Sequence, residues 1–225
     1  QLGEDIVING NIRKLNGKEV DSLASVFLKQ NGEITFVDTV EVTDGVFAFS
    51  HNTAGDLPGE YVVDVEARDS FGNIGVFNSI AKLTLVNEIS VFAQLNKKSV
   101  LPGVSVTIFG EANTITQEGL NEGTAIIEFE GMKFEGNVKK NGQFDYRFEI
   151  PVNAKSGLQT IKVMIEDSFG NKGETEANIE VIPVPTTLNL ELSEGVLRPD
   201  GELIIKPLLY DQAGDFLNES VNVNI

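Results

Sequence analysis

Residues 59–75 read GEYVVDVEARDSFGNIG, and residues 157–173 read GLQTIKVMIEDSFGNKG. The two stretches align without a gap at a spacing of 98 residues, and eight of the 17 positions are identical. Ordinary residue frequencies would give roughly one identity in such a window. A spacing of this size is the length of a whole domain, not of a solenoid turn. The sequence is therefore built from domain-length repeats, and the block they share is a strand pattern followed by a turn.

Apolar and polar residues alternate in both copies. In the first copy, Tyr61, Val63 and Val65 lie on one face of the predicted strand, and in the second copy Val163 and Ile165 occupy matching positions. A period of two is typical of a half-buried β-strand. No segment of helical length combines apolar spacing of three and four with recognisable caps. The chain is therefore predicted to be all-β.

Pairs that favour tight turns separate the strand patterns, and such pairs accept positive φ in hairpins. They are Asn16-Gly17, Asn31-Gly32, Asp44-Gly45, Asn141-Gly142 and Asp200-Gly201. In the first repeat we predict strands at residues 6–12, 25–30, 33–42, 46–49, 61–68 and 76–85. In the second we predict strands at 89–95, 104–112, 124–130, 132–139, 143–150, 158–166 and 174–181. A third repeat is predicted to begin with strands at 188–192, 202–210 and 221–225.

Seven short strands in about a hundred residues is typical of an immunoglobulin-like sandwich. We therefore predict tandem immunoglobulin-like β-sandwich domains: residues 1–86 without a first strand, residues 87–183 complete, and residues 184–225 as the start of a third. Two explanations of the missing strands stay open. Either the chain is a portion of a longer polypeptide, or a neighbouring copy donates the missing strands by β-augmentation.

Composition excludes several classes of function. The chain has no cysteine, which excludes disulfides, thiolate nucleophiles and sulfur-ligated metals. Its one histidine, His51, is predicted to be a solvated loop residue. A net charge of −17 disfavours binding to nucleic acid and to anionic lipid. No run approaches the roughly 18 apolar residues needed to cross a bilayer, so we expect no direct membrane insertion in this segment.

The sequence carries no recognisable catalytic signature. GxSxG, P-loop, GxGxxG and HExxH motifs are all absent, and we predict that the chain is not an enzyme. The phenylalanines of the strand patterns are predicted to pack in the core. They are Phe27, Phe36, Phe47, Phe129, Phe144 and Phe148.

The DSFGN turn of each copy suggests a metal site. Asp69 with Asn73, and Asp167 with Asn171, bring hard oxygen donors to a turn, which makes them candidate calcium ligands; no other cofactor is expected. In the alternative, these residues cap the turn, its glycine takes positive φ, and its phenylalanine plugs the end of the sandwich. The residues concerned are Gly72, Phe71, Gly170 and Phe169.

The strand pattern of the first copy resembles strand F of immunoglobulin-like domains, where a corner tyrosine precedes the inter-sheet cysteine position by two residues. Tyr61 stands at that corner and Val63 at the cysteine position, while the second copy has Gln159 at the corner. An NGxF turn at residues 141–144, with DGxF at 44–47, and the closing DxxGN turns complete the pattern. Together they resemble the cysteine-free immunoglobulin-like repeats of bacterial and archaeal surface proteins.

This resemblance implies a structural component of the cell surface, such as part of an S-layer, stalk or extracellular filament. It further implies an extracellular location, and partners that are other surface proteins or further copies of the chain. Two other functions stay open: an adhesin or carbohydrate-binding module, for which the loop at residues 114–123 is the candidate, and an accessory region of a larger extracellular hydrolase.

Overall fold

The computed structural model describes residues 1–193, 195 and 201–219, and β-strands are the only regular structure in that part of the chain. The prediction of tandem, all-β sandwiches is confirmed. The chain forms two compact units, one of residues 1–88 with 167–172 and one of residues 89–166 with 173–225. The divisions predicted after residues 86 and 183 stay predictions. The strand predicted at 221–225 lies outside the described residues.

Six strands build the first repeat and form two sheets. They are β1 (Asp5–Asn11), β2 (Ser22–Gln30), β3 (Glu33–Val42), β4 (Val46–Asn52), β5 (Gly59–Asp69) and β6 (Ile74–Leu85). One sheet pairs β1 with β4, and the other has the order β3-β2-β5-β6, with every pair antiparallel. All six strands occupy predicted positions, although β2 begins at Ser22, three residues before its predicted start.

Alternation buries one row of side chains on each central strand of the first repeat. On β2, Ala24, Val26 and Leu28 are fully buried, and they pack with the inward residues of β5 in one core. Phe27 lies between two of these positions and is only half-buried. Because successive side chains of a strand point to opposite faces, Phe27 faces away from the core. The prediction that it packs in the core is therefore wrong.

Eight strands build the second repeat. They are β7 (Ser90–Leu95), β8 (Ser99–Val100), β9 (Ser105–Asn113), β10 (Gly123–Phe129), β11 (Met132–Val138), β12 (Gln143–Glu149), β13 (Gly157–Glu166) and β14 (Lys172–Val181). One sheet has the order β12-β9-β7, and the other β11-β10-β13-β14-β8. The short strand β8, which pairs in parallel with β14, was not predicted because two residues show no alternation.

The described part of the third repeat begins as the second repeat does. Its strands are β15 (Thr187–Leu192), β16 (Ile205–Tyr210) and β17 (Phe216–Leu217), in the order β15-β16-β17. Thr187 pairs with Tyr210, as Ser90 pairs with Asn113 between β7 and β9. Both partners are shifted by the same 97 residues, so the opening strand pair is repeated in register.

Two predicted tight turns connect the strands of the first repeat. Asn31 and Gly32 have φ of 53° and 85°, and Asp44 and Gly45 have φ of 50° and 75°. Two consecutive residues with positive φ are the mark of a type I′ hairpin turn, whose twist matches that of the strands. The hairpin between β10 and β11 lies where the strands predicted at 124–130 and 132–139 meet. Its turn pair, Glu130 and Gly131 with φ of 47° and 80°, was not among the predicted turn pairs, because glutamate is rare at positive φ.

The corner tyrosine of the first repeat makes the hydrogen bond expected of such a residue. Its ring is buried, and its hydroxyl donates to the carbonyl oxygen of Leu57 at 2.8 Å. Burial raises the pKa of Tyr61, and the nearby carboxylate of Asp56 raises it further. In the second repeat, Gln159 donates its amide Nε2 to the carbonyl oxygen of Ser156 at 3.3 Å. At the position where the second repeat lacks the tyrosine, the Gln159 side chain thus bonds to a nearby backbone carbonyl as the Tyr61 hydroxyl does.

Replacing the corner hydroxyl tests this bond. We expect Tyr61→Phe to lower the free energy of unfolding by about 1–2 kcal/mol, because it leaves the Leu57 carbonyl without its donor. Urea unfolding measures the change. Tyr146→Phe is the matched control, since the Tyr146 hydroxyl has no hydrogen-bond partner among the described residues. Equal midpoints for Tyr61→Phe and the unsubstituted chain would contradict the assignment.

Candidate functional site

The first candidate turn joins β5 to β6 and closes on the carboxylate of Asp69. Its Oδ1 accepts the N–H groups of Phe71 at 3.0 Å and Asn73 at 2.9 Å, and its Oδ2 accepts Asn73 Nδ2 at 2.8 Å. Gly72, at φ of 83°, donates its N–H to the carbonyl oxygen of Asp69 at 3.0 Å. The bond from Asn73 Nδ2, together with the N–H groups of Asn73 and Phe71, lowers the pKa of Asp69. Both carboxylate oxygens therefore cap the turn.

The second candidate turn repeats this geometry between β13 and β14. Asp167 Oδ1 accepts the N–H groups of Phe169 and Asn171, both at 2.9 Å, and Oδ2 accepts Asn171 Nδ2 at 2.7 Å. Gly170 has a φ of 88° and donates its N–H to the carbonyl oxygen of Asp167. The structure thus brings each predicted aspartate together with its predicted asparagine, and each turn is closed by its own side chains.

The two turns differ in what surrounds them. The second belongs to the first compact unit, where Asn171 is 1% exposed and its Nδ2 also donates to the carbonyl oxygen of Leu2 at 3.0 Å. Beside it, the Lys172 N–H donates to the carbonyl oxygen of Asn87 at 2.8 Å. Asn73 of the first turn is exposed and bonds only within its turn. The same five residues therefore form a docked turn in one copy and a solvent-facing turn in the other.

The phenylalanines of the turns follow the same division. Phe71 is 84% exposed, so the prediction that it plugs the end of the sandwich is wrong. Phe169 is also partly exposed, but its ring lies directly against Gly3. A β-carbon on Gly3 would lie 2.6 Å from this ring, and Gly3 has φ of 87°. Only glycine fits there, for both reasons.

A third turn of the same kind was missed in the sequence. Asp211 Oδ1 accepts the N–H groups of Ala213 at 2.9 Å and Asp215 at 2.8 Å. Asp211 is 2% exposed, and its Oδ2 accepts a hydrogen bond from the Ser156 hydroxyl. Burial alone would raise the pKa of Asp211, but the Ser156 bond and the N–H groups of the turn hold it below its usual value. The D-x-x-G spacing of DQAGD, shared with DSFGN, was the available signal.

The third turn is docked, like the second. Next to Asp211, Gln212 donates its Nε2 to the carbonyl oxygen of Ala154 at 2.8 Å. Gln212 Oε1 accepts the Val184 N–H, also at 2.8 Å. One amide side chain thus joins the turn to two segments of the second compact unit that lie 58 and 28 residues away in sequence.

The aspartate oxygens of both turns are already engaged, whereas Asn171 Oδ1 is buried and accepts no hydrogen bond within the described residues. A calcium shell takes six or more oxygen ligands, whereas the carboxylate oxygens of Asp69 and Asp167 are directed at amide donors of their own turns. Lys14 Nζ also lies 3.7 Å from Asp69 Oδ2. Within the described residues, no three carboxylate or histidine side chains group where they would hold a metal ion. Calcium at these residues stays a prediction that requires the turn to rearrange.

His51 is not the solvated loop residue that was predicted. It lies on β4, its side chain is 10% exposed, and its ring centre is 3.9 Å from that of Phe36. His51 Nε2 lies 2.7 Å from a carboxylate oxygen of Asp56. The prediction failed because Phe47, Phe49 and His51 share one face of the strand, and the polar residues after His51 obscured this period.

The buried carboxylate of Asp64 stabilises a β-bulge in the first repeat. The register between β5 and β6 shifts at Val63 and Val65, where Ser79 has φ of 54°. Asp64 Oδ1 accepts the Ser79 N–H and Oδ2 accepts Lys29 Nζ, both at 2.6 Å. The bond from Lys29, followed by that from Ser79, lowers the pKa of Asp64. The ion pair therefore has a structural role at the irregular point of the sheet.

A loop and a groove offer little binding chemistry. The loop at residues 114–123 folds back on Thr114, whose N–H donates to the Glu118 carbonyl oxygen at 2.8 Å, and buries Leu120. A groove of about 630 Å³ in the first unit is lined by apolar side chains such as Ile74 and Phe77. Its one described carboxylate belongs to Asp69, which the first turn and Lys14 already engage.

Comparisons with known proteins give the following result. No protein-family model and no curated protein matches the chain. Among solved structures, similar chains include a 1.5-MDa bacterial ice-binding adhesin, at 16% identity and TM-score 0.34, with 84% of this chain and 62% of that chain covered. A tetra-tandem repeat from the extending region of a large adhesion protein matches at 13% identity and TM-score 0.36, with 96% and 65% covered.

A third similar structure is a Ca²⁺-stabilised adhesin of an Antarctic bacterium, at 16% identity and TM-score 0.32, with 84% of this chain and 47% of that chain covered. The present chain thus spans less than two thirds of each of these three chains. At such TM-scores the likenesses are too low to support a function. The described part of the chain contains no helix with the length and apolarity needed to cross a bilayer.

The contrast between docked and exposed turns gives a matched pair of substitutions. We expect Asn171→Ala to lower the free energy of unfolding by about 2–3 kcal/mol, because it removes the donor to the buried Leu2 carbonyl as well as the turn bond. Asn73→Ala removes only an exposed turn bond and should cost about 1 kcal/mol or less. Chemical denaturation of both variants measures the difference. Equal losses would contradict the docking contact.

The calcium prediction is tested by melting the chain in millimolar calcium and in chelator. Because the turn carboxylates already accept N–H donors, we expect the two melting temperatures to agree. A higher melting temperature in calcium would instead establish the predicted site, provided that Asp69→Asn and Asp167→Asn abolish the rise. Magnesium at the same concentration controls for ionic strength.

Proposed function

We propose that the chain is a structural segment of a cell-surface protein, built from tandem immunoglobulin-like repeats that divide near residues 86 and 183. It acts as a spacer within an S-layer, stalk or extracellular filament, and its partners are other surface proteins or further copies of the chain. The observation that carries this proposal is the closing turn. The same D-x-x-G geometry occurs three times in the part of the chain that the structure describes, and in two of these cases buried hydrogen bonds dock it onto distant segments.

Docked turns suit a mechanical role because they oppose separation of the segments they join. Asn171 and Asp211 are both almost fully buried, and the bonds from Asn171 to Leu2 and from Ser156 to Asp211 link residues 169 and 55 positions apart. Hydrogen bonds shielded from water are stronger than exposed ones, and a broken one leaves a buried polar group without a partner. Pulling the ends of the chain therefore loads these contacts as well as the sheets.

The charge of the chain fits a location in water at a surface. Its 34 acidic and 17 basic residues give a net charge of −17, and five ion pairs among the described residues join largely exposed side chains. Exposed ion pairs contribute little to stability, so these charges serve mainly to keep the repeats soluble and apart. An extended array of repeats benefits from such repulsion, because it disfavours collapse of one repeat onto another.

Two measurements test this function. Antibodies raised against the chain should label intact cells of the organism that makes it, with no increase in signal after permeabilisation. In an optical trap, the full chain held by its ends should unfold in two main steps. They should lengthen the tether by about 30 and 34 nm, the contours of repeats of roughly 86 and 97 residues. Labelling only after permeabilisation, or gradual extension without discrete steps, would contradict the proposal.

A further inference from the structure

The outer edge of β1 has no strand beside it in the described part of the chain. β1 pairs with β4 alone, whereas its counterpart β9 lies between β12 and β7. The two strands correspond at a spacing of 100 residues: Arg13 bridges to Glu19 as Asn113 bridges to Gly119, and the Ile12 N–H donates to Gly45 as that of Ala112 donates to Gly142. The second repeat therefore shows what covers this edge when the sheet is complete.

The backbone groups of the open edge are identified by the same correspondence. The Ile12 N–H points toward β4, so the groups of Val7, Asn9 and Asn11, at alternate positions, point away from it. In the second repeat, Thr107 is the counterpart of Val7. Its carbonyl oxygen accepts the Asn96 N–H at 3.0 Å, and its own N–H donates to Asn96 Oδ1 at 2.9 Å. The groups of Val7 are thus directed where a strand binds in the complete sheet.

The apolar residues of β1 are also less buried than their counterparts in the second repeat. Val106 and Ile108 of β9 are fully buried, while their counterparts Ile6 and Ile8 on β1 are only partly buried. In the second repeat, Val91, Ala93 and Leu95 of β7 pack against the core at this position. An additional strand with apolar residues at the same alternate positions would remove Ile6 and Ile8 further from water.

The backbone of such a strand comes close to a glycine. A β-carbon on Gly110 would lie 1.9 Å from the carbonyl oxygen of Phe92, so β7 passes over a position that only glycine allows. The first repeat has Gly10 at the corresponding position, where the Phe47 ring fills the inner side. Because Gly10 has no β-carbon, a strand beside β1 could approach this position as closely as β7 approaches Gly110.

We infer that the edge of β1 is a binding site for an extended peptide strand with the pattern of β7. The strand runs antiparallel to β1, places the residue equivalent to Ala93 opposite Gly10, and the residue equivalent to Leu95 opposite Ile8. Its recognition combines ladder hydrogen bonds to Val7, Asn9 and Asn11 with three inward apolar side chains. This site does not depend on the proposed function.

The inference is tested with the full chain and a fluorescent synthetic peptide of residues 87–97. Anisotropy measures binding, and amide hydrogen exchange by NMR locates it. We expect saturable binding that slows exchange at Val7, Asn9 and Asn11. A peptide with aspartate in place of Val91 and Leu95 should not bind, because it offers charges to an apolar face.

Two substitutions at Asn9 distinguish the loss of a backbone hydrogen bond to the peptide from the loss of the asparagine side chain. Asn9→Pro removes an edge N–H that β4 does not use, so we expect the chain to stay folded and to bind the peptide about tenfold more weakly or worse. Asn9→Ala keeps the N–H group and should bind as the unsubstituted chain does. If Asn9→Pro fails to fold, the exchange pattern of the unsubstituted chain decides the outcome.

Four results would overturn the inference. The first is the absence of binding, and the second is binding that Asn9→Pro leaves unchanged. The third is slowed hydrogen exchange on β9 in place of β1, which would mean that the peptide displaces β7. The fourth is a chain that dimerises through paired β1 edges and takes up no peptide, which sedimentation without peptide would detect.

Discussion

The fold depends on apolar packing between two sheets that no covalent bond joins. The chain has no cysteine, and Val63 stands where the strand F pattern that the sequence resembles has an inter-sheet cysteine. In the second repeat, Ile161, Val163 and Ile165 are at most 1% exposed. Each fully buried aliphatic side chain contributes roughly 1.5–3 kcal/mol, so one such row of three contributes at least as much as one disulfide gives a secreted domain. Polar substitutions at the buried alternate positions of the central strands are therefore expected to destabilise the fold most.

The closing turns show how one local structure acquires different roles from its surroundings. The aspartate carboxylate accepts two N–H groups whether the turn is exposed or docked, because those bonds join residues two and four positions apart. Docking adds bonds to partners that are remote in sequence. For Asn171 the partner is the Leu2 carbonyl, and Gly3 beside it leaves space for the Phe169 ring. The identity of the turn is thus local, whereas its burial depends on residues elsewhere in the chain.

Alternation and turn pairs were sufficient to predict the longer strands and the hairpin at Asn31-Gly32, since both are local properties, but not the two-residue strands β8 and β17. They did not predict that Asp211 accepts a hydrogen bond from Ser156, because that contact spans 55 residues. The errors at Phe27 and His51 have another cause. Both residues obey the period of two, and each was misplaced because residue type was given more weight than position on the strand.

The first repeat tolerates an open edge because its two sheets are unequal. A two-stranded sheet such as β1 with β4 is marginal alone, but here Phe47 and Phe49 of β4 are nearly fully buried against the four-stranded sheet. The apolar face of the small sheet is thus buried, whereas the backbone groups along the outer edge of β1 have no strand to pair with among the described residues. Edges of this kind are normally blunted by charge, proline or a bulge. On β1, the one charged side chain is that of Asp5 at the start of the strand. The outward side chains of Val7, Asn9 and Asn11 carry no charge and none is proline, so little along the rest of the strand opposes pairing.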